Sequence, residues 1–180
     1  MNPENAKAIC DYLVMNLEME APTTQRVIAA VPASGYGYSP DAKSMKALDL
    51  AWHVVSAEIM LLDMGIVGGD AAPMERPAGA DTVEGINAWF QNQLPLTLAK
   101  VKALSGDHLA KVVTVWGGAY TLPCVTFVNF AMKHSVHHRG QLSAYLRPMG
   151  AKVPSTRAGS PRRDWISVSG GQCGRARSRD

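Results

Sequence analysis

Apolar residues recur every three or four positions along four stretches of the chain, which is the spacing of amphipathic α-helices. The first predicted helix runs from about Pro3 to Glu20. Pro22 then ends or kinks it, because proline lacks the backbone N–H of a helix interior, and Thr23–Val31 is expected to continue as a helical turn. The second predicted helix covers Ser44–Met64 and ends near Gly65. The first part of the chain therefore predicts two helices joined by a loop.

The next part predicts a third helix and an extended connection. Asp81 or Thr82 is placed to cap the third helix, because either side chain can accept a hydrogen bond from the first turn. This helix contains Pro95 and should end near Leu104. Lys111–Tyr120 is rich in β-branched and aromatic residues, which indicates an extended segment.

The fourth predicted helix carries most of the candidate chemistry. Thr121 is expected to cap it, with Pro123 in its first turn, where a missing N–H is tolerated. The helix should end near Arg147, because Pro148 and Gly150 follow as stop signals. Four helices of this kind predict an all-α fold, a four-helix bundle.

Composition agrees with that fold and divides the chain in two. Apolar residues make up 47% of the 180 residues and aromatic residues only 7%, with nine Met, which suits helix-on-helix packing. The bundle is predicted to occupy residues 1–154. Residues 155–180 are rich in Gly, Ser and Arg, with too little apolar surface to offset the chain entropy lost on folding. This basic C-terminal tail is therefore predicted to be disordered.

The charge is also divided unevenly, which bears on the choice of partner. Residues 152–180 hold seven Lys or Arg and two Asp or Glu, a net charge of +5. Residues 1–151 hold eleven Lys or Arg and thirteen Asp or Glu, a net charge of −2. The overall net charge of +3 therefore does not describe the predicted bundle. We expect no specific nucleic-acid partner, because the basic residues do not lie in the folded part.

The sequence shows no pattern of a membrane span or a signal peptide, and its cysteines are not arranged for disulfides. We therefore expect a cytoplasmic protein without a membrane partner. The chain has no uninterrupted apolar run of the ~18 residues that a membrane span needs. Its first residues lack the basic-then-apolar order of a signal peptide. The three cysteines are odd in number and far apart, which favours a reducing compartment over a disulfide framework.

Three histidines are candidates for a shared metal ion. His134 and His138 are four residues apart, so their imidazoles lie one turn apart on the same face of the fourth helix. His53 shares the apolar face of the second helix with Leu50 and Ala57. A buried imidazole without a partner is costly, and one metal ion would satisfy all three rings. The alternative is that these histidines are hydrogen-bonded core residues of a metal-free bundle.

Neighbouring polar residues have simpler interpretations. His137 points about 100° away from His138 around the helix and is expected at the rim of the site. His108 is interpreted as a solvated loop residue. Gln141 could orient a histidine ligand. Glu58, five residues after His53, points elsewhere and is not expected to be a ligand.

Three further residues of the fourth helix needed an explanation. Gly140 should destabilise a helix interior by roughly 1 kcal/mol relative to Ala, which predicts close approach of a neighbouring helix. Arg139 faces away from the histidines, so a surface or interhelical ion pair is favoured over binding of an anionic substrate. Cys124 could gain nucleophilicity in a first helical turn, but its apolar neighbours favour an inert, packed thiol.

The chain resembles the DinB-like (DinB/YfiT) family from its N-terminus to about Pro154. The resemblance rests on the second helix around Ala51-Trp52-His53 and on a specific motif in and after the fourth helix, His134–Leu142, Tyr145–Arg147, Gly150 and Val153–Pro154. It implies a four-helix bundle, commonly dimeric, whose three metal-binding histidines match His53, His134 and His138. It also implies that some members are transferases or isomerases that use low-molecular-weight thiols.

These observations together predict a metal-dependent enzyme. The expected cofactor is a divalent ion, zinc or nickel, which would activate water or a thiol as a Lewis acid. A thiol-dependent transferase or isomerase is the activity that the resemblance suggests, and the residues identify no general base. The expected partners are a second copy of the chain and a low-molecular-weight thiol or small-molecule substrate. The alternative is a helical bundle that binds metal or senses a ligand without catalysis.

Overall fold

The structure, a computed structural model, describes residues 1–155, and most of them are helical. Four long helices carry the fold, and a very short helix and a two-stranded hairpin connect the last two of them. The helices are α1 (Pro3–Ala29), α2 (Ala47–Val67), α3 (Val83–Lys102), α4 (Gly106–Ala110) and α5 (Val125–Leu146), and the strands are β1 (Val112–Val115) and β2 (Tyr120–Pro123).

The four long helices form the predicted bundle. Helices α1 and α2 each pack against both α3 and α5, and the most extensive contact joins α2 to α5. The core between them is almost entirely aliphatic and aromatic, and its largest fully buried side chains include Phe90, Phe127, Leu50 and Leu142. The all-α four-helix fold is therefore confirmed.

Helix α1 is longer than the sequence predicts. Asn2 caps it by accepting a hydrogen bond from the backbone N–H of Asn5, and the helix then continues through Pro22 to Ala29. Pro22 therefore does not end the helix, and the helical continuation expected over Thr23–Val31 is present as far as Ala29. Buried residues precede and follow the proline, and Leu17 and Val27 are examples of the packing that offsets the lost hydrogen bond.

Helix α2 is the central helix of the core. It is long and apolar enough to cross a membrane, but 72% of its most apolar 18-residue window is buried inside the protein. That degree of burial is typical of the core helix of a soluble bundle. Gly68 ends the helix in the left-handed conformation at φ 68°, which only glycine adopts at little cost.

The segment between α3 and α5 differs from the prediction. Lys111–Tyr120 does not form one extended connection, because Val112–Val115 pairs antiparallel with Tyr120–Pro123. Gly117 and Gly118 supply the positive φ angles that close the hairpin. The predicted capping residue Thr121 therefore lies in β2 opposite Thr114, and Cys124, three residues later, takes the capping position of α5.

Gly140 does not mark a close contact between helices. A Cβ built at this position would meet nothing within 4 Å, so the predicted approach of a neighbouring helix is wrong. The glycine lies on an exposed part of α5. Its cost to the helix is therefore not offset by packing among the described residues. The predicted tail is not covered by this description, because residues 156–180 lie outside the described residues.

Candidate metal centre

Helices α2 and α5 bring the three predicted histidines together. The ring centroid of His53 lies 4.8 Å from that of His134 and 4.6 Å from that of His138. The rings of His134 and His138 are 4.4 Å apart, as expected for residues separated by one helical turn. Within residues 1–155, these three form the one group of histidine, cysteine or carboxylate residues whose geometry could hold a metal ion.

The spacing and the unsatisfied polar atoms of this cluster fit a divalent metal. One potential ligand nitrogen from each ring lies within 4.8 Å of the others. Two nitrogens at roughly 2.1 Å from one ion are at most about 4.2 Å apart, so small ring movements would complete the site. His134 Nδ1 is buried and has no hydrogen-bond partner among the described residues. A buried polar atom of this kind is costly unless a ligand satisfies it.

The protonation of the rings also favours metal binding. Burial, and then repulsion by His138, lowers the pKa of His53. Burial, followed by the nearby His138, His53 and His137, lowers the pKa of His134 to about 4. Both rings are therefore neutral at pH 7, and a neutral imidazole offers the lone pair that a metal requires.

Gln141 fixes the orientation of the third ring. Its amide oxygen Oε1 lies 2.9 Å from His138 Nδ1, and an amide oxygen can only accept, so Nδ1 carries the proton. The lone pair of His138 is therefore on Nε2. The amide nitrogen of Gln141 in turn donates to Tyr145 Oη over 3.4 Å. The contact between Gln141 and a histidine that the sequence predicts is therefore present, and it involves His138.

A second polar group lies on the side of α5 that faces away from the histidines. Arg139 is buried and pairs with Glu20 of α1, with 2.6 Å between Nη1 and Oε2, and Nη1 donates to Thr24 Oγ1 at 3.3 Å. The predicted interhelical ion pair is thus present. Glu58 of α2 is also buried, and burial raises its pKa to about 7 although Ser135 and Arg139 act in the opposite direction.

Glu58 is absent from the group of potential ligands, as predicted. The burial of its carboxyl was not predicted. The sequence signal is the apolar residue on either side of Glu58 in α2, Ala57 and Ile59, both of which are also buried.

The remaining histidines and Cys124 stay outside the cluster. His137 is exposed, as expected for the rim, with its ring 4.8 Å from that of His138. His108 is not a solvated loop residue: it lies in α4, is half-buried, and its Nε2 lies 2.9 Å from the carbonyl oxygen of Gly65. Cys124 is fully buried and burial raises its pKa, in agreement with the packed thiol that its apolar neighbours predict.

An open cleft of about 430 Å³ reaches the cluster at His53. One wall is a face of α2 that includes Asp49, Trp52 and Ser56, and the loop after α2 supplies the opposite wall, including Arg76. This volume is within the range of small-molecule sites. The cleft could not be predicted from the sequence, because the loop that forms its second wall carries no helical or strand pattern.

The comparisons with known proteins decide the family. A family model described as "DinB family" matches residues 5–163, which is most of the chain. The chain belongs to the DinB family. A relative of this DinB-family protein is the uncharacterized protein YjoA from Bacillus subtilis (strain 168), which is 25% identical over 130 residues, 71% of this chain and 82% of the relative.

Solved structures agree on the fold of this DinB-family protein. The crystal structure of YjoA from Bacillus subtilis has a TM-score of 0.65 at 19% identity and covers 81% of this chain and 98% of its own. A DinB-like protein from Bacillus cereus also has a TM-score of 0.65, at 17% identity over 79% of this chain and 93% of its own. These likenesses bear on the fold alone.

Proposed function

We propose that this protein is a metal-dependent enzyme whose divalent ion is bound by His53, His134 and His138. The observation that carries the proposal is the buried, unpartnered Nδ1 of His134 inside a cluster of three imidazoles. Hydrogen-bonded core histidines would each have a protein partner, and this nitrogen has none among the described residues. A shared ion would remove that cost.

The chain's own residues would prepare the site in three ways. His53 and His134 would bind the ion as neutral ligands, because their lowered pKa values keep protons from competing at pH 7. Gln141 would keep the lone pair of His138 on Nε2. The cleft that ends at His53 would admit a small molecule beside the cluster.

The donor set also limits the choice of metal and reaction. Three imidazoles suit zinc or nickel, and we propose one of these. When bound, the ion would act as a Lewis acid that lowers the pKa of water or a thiol. Neutral ligands leave the ion its full dipositive charge, so an anionic partner such as a thiolate is favoured. We therefore propose a thiol-dependent transferase or isomerase as the class of activity.

Metal content tests the ligand assignment. Replacing His53, His134 or His138 with Ala should each sharply lower the metal bound after zinc or nickel loading and dialysis, as measured by mass spectrometry of the metal. His137→Ala is the matched control, because this ring is next to the cluster but exposed. Equal retention in all four variants would refute the assignment.

A second measurement separates catalysis from a purely structural ion. A catalytic site keeps a coordination position open, whereas a structural site is closed. Adding a small thiol such as 2-mercaptoethanol to cobalt-loaded protein should change the visible spectrum if the position is open. An unchanged spectrum would favour the alternative, a bundle that uses metal without catalysis.

A further inference from the structure

We propose that the cleft beside His53 binds a small organic carboxylate with an apolar body, and that Arg76 recognises its carboxylate. This inference names the substrate class of the proposed enzyme and rests on that function only for the term substrate. The binding itself depends on residues outside the histidine cluster. It can therefore be tested without a metal.

Arg76 is held in place from two sides. Its Nη2 donates to Asp49 Oδ1 over 2.9 Å, and its guanidinium carbon lies 5.8 Å from the centre of the Trp52 ring. The Arg76 side chain is only 29% exposed, although it belongs to a loop. Such contacts pre-order the planar guanidinium, so less entropy is lost when a ligand binds.

The guanidinium has donors left for a ligand. Arginine carries five N–H groups, and among the described residues Asp49 is the one hydrogen-bond acceptor that Arg76 contacts. The planar array of donors matches the two oxygens of a carboxylate. Asp49 already offsets part of the positive charge, which favours a singly charged carboxylate over a phosphate dianion.

The rest of the cleft suits an apolar body. Trp52 lines the cleft, and its ring centroid lies 4.7 Å from that of Trp89, a contact that holds the ring in place. Flexible methionine side chains adapt to ligands of differing outline. The apolar residues that line the cleft with Trp52 are Met45, Ala57, Met60, Pro73 and Met74.

Ser56 adds a polar group to the wall of the cleft that α2 forms. Ser56 is 8% exposed and lines the cleft. It lies three residues after His53 on the same helical face, whereas Asp49, the partner of Arg76, lies four residues before His53. Along the α2 wall, the imidazole of His53 therefore lies between the Arg76 guanidinium, which is held at Asp49, and the Ser56 hydroxyl.

The test is isothermal titration of metal-free protein with 3-phenylpropionate and with its neutral amide, 3-phenylpropionamide. The full chain is used, with a chelator present, so that neither probe can bind a metal ion. Arg76→Gln removes the charge and the planar fork. Arg147→Gln is the matched control, because Arg147 is exposed and lies outside the cleft.

We expect Arg76→Gln to weaken binding of the carboxylate by about 10-fold, the scale of one hydrogen bond to a charged group, and to leave binding of the amide nearly unchanged. Arg147→Gln should change neither. Equal carboxylate affinity in Arg76→Gln and the unaltered protein would overturn the inference. Loss of both probes would also overturn it, because Arg76 would then support the cleft rather than recognise the anion.

The same design separates this inference from the proposed function. If Arg76→Gln weakens carboxylate binding but the histidine variants retain their metal, the metal assignment alone is refuted. If the histidine variants lose their metal but Arg76→Gln binds the carboxylate as tightly as the unaltered protein, this inference alone is refuted.

Discussion

Replacing Glu58 with Gln should stabilise the metal-free protein at alkaline pH and have little effect near pH 4.5. Glu58 is 2% exposed, and burial raises the pKa of its carboxyl from 4.5 to about 7. Between these two values the unfolded chain has released the proton while the folded protein keeps it. Stability is therefore lost as the pH rises through this range, and the penalty is complete above pH 7. Gln is uncharged in the folded and the unfolded protein, so Glu58→Gln does not lose this stability as the pH rises.

The expected magnitude follows from the difference in pKa. Each unit corresponds to about 1.4 kcal/mol, so the shift of Glu58 from 4.5 to about 7 represents on the order of 3 kcal/mol. A change of 1 kcal/mol moves the melting temperature of a chain this long by roughly 2–4 °C. At pH 8 we therefore expect Glu58→Gln to melt about 6–12 °C above the unaltered protein.

Urea denaturation in the presence of a chelator, repeated from pH 4.5 to 8.5, measures this effect. The difference in free energy of unfolding between the two proteins isolates Glu58, because the histidines titrate in both and cancel. Glu75→Gln is the control, since Glu75 is exposed. Its stability should follow that of the unaltered protein at every pH.

Parallel stability profiles for Glu58→Gln and the unaltered protein would refute the reasoning. They would mean that Arg139 and Ser135 compensate the buried carboxylate fully, so that Glu58 ionises in the folded protein as easily as in the unfolded chain. A lower free energy of unfolding for Glu58→Gln than for the unaltered protein at pH 8 would contradict the reasoning more strongly.

Three further predictions follow from the fold. Gly140→Ala should raise stability by about 1 kcal/mol in thermal melting, because a Cβ there meets open space; a drop in melting temperature would contradict this. We propose a homodimer through a face of α1 with exposed apolar residues that include Tyr12, Met15 and Met19; light scattering should show two copies, and a monomer at micromolar concentration would contradict it. Removing residues 160–180 should lower the melting temperature by less than about 5 °C, because few apolar residues are lost.

The sequence predicted the bundle and the meeting of the histidines for the same reason. Helical periodicity assigns each side chain a direction, and the apolar faces of α2 and α5 must meet in the core. His53 lies on one of those faces and His134 and His138 on the other, so packing the faces together brings the rings together. Long, strongly periodic helices make such inferences possible.

The features that the sequence missed depend on contacts between distant residues. His108 follows the polar residues Ser105 and Asp107 in sequence, but its partner is the carbonyl of Gly65, 43 residues earlier. Arg76 is held by Asp49, 27 residues earlier, across a loop without periodicity. The hairpin was missed because each of its strands has only four residues, too few to show an alternating pattern.

The ion pair between Arg139 and Glu20 has a consequence for how α5 can rotate about its own axis. Arg139 directly follows His138, so turning α5 by one residue to bring another face toward α2 would carry the guanidinium away from Glu20. Breaking a buried ion pair costs about 3–5 kcal/mol, comparable with a large part of the stability of a domain. The rotation of α5 that breaks the pair between Arg139 and Glu20 is therefore energetically unfavourable. The rotation that survives is the one that directs His134 and His138 toward His53.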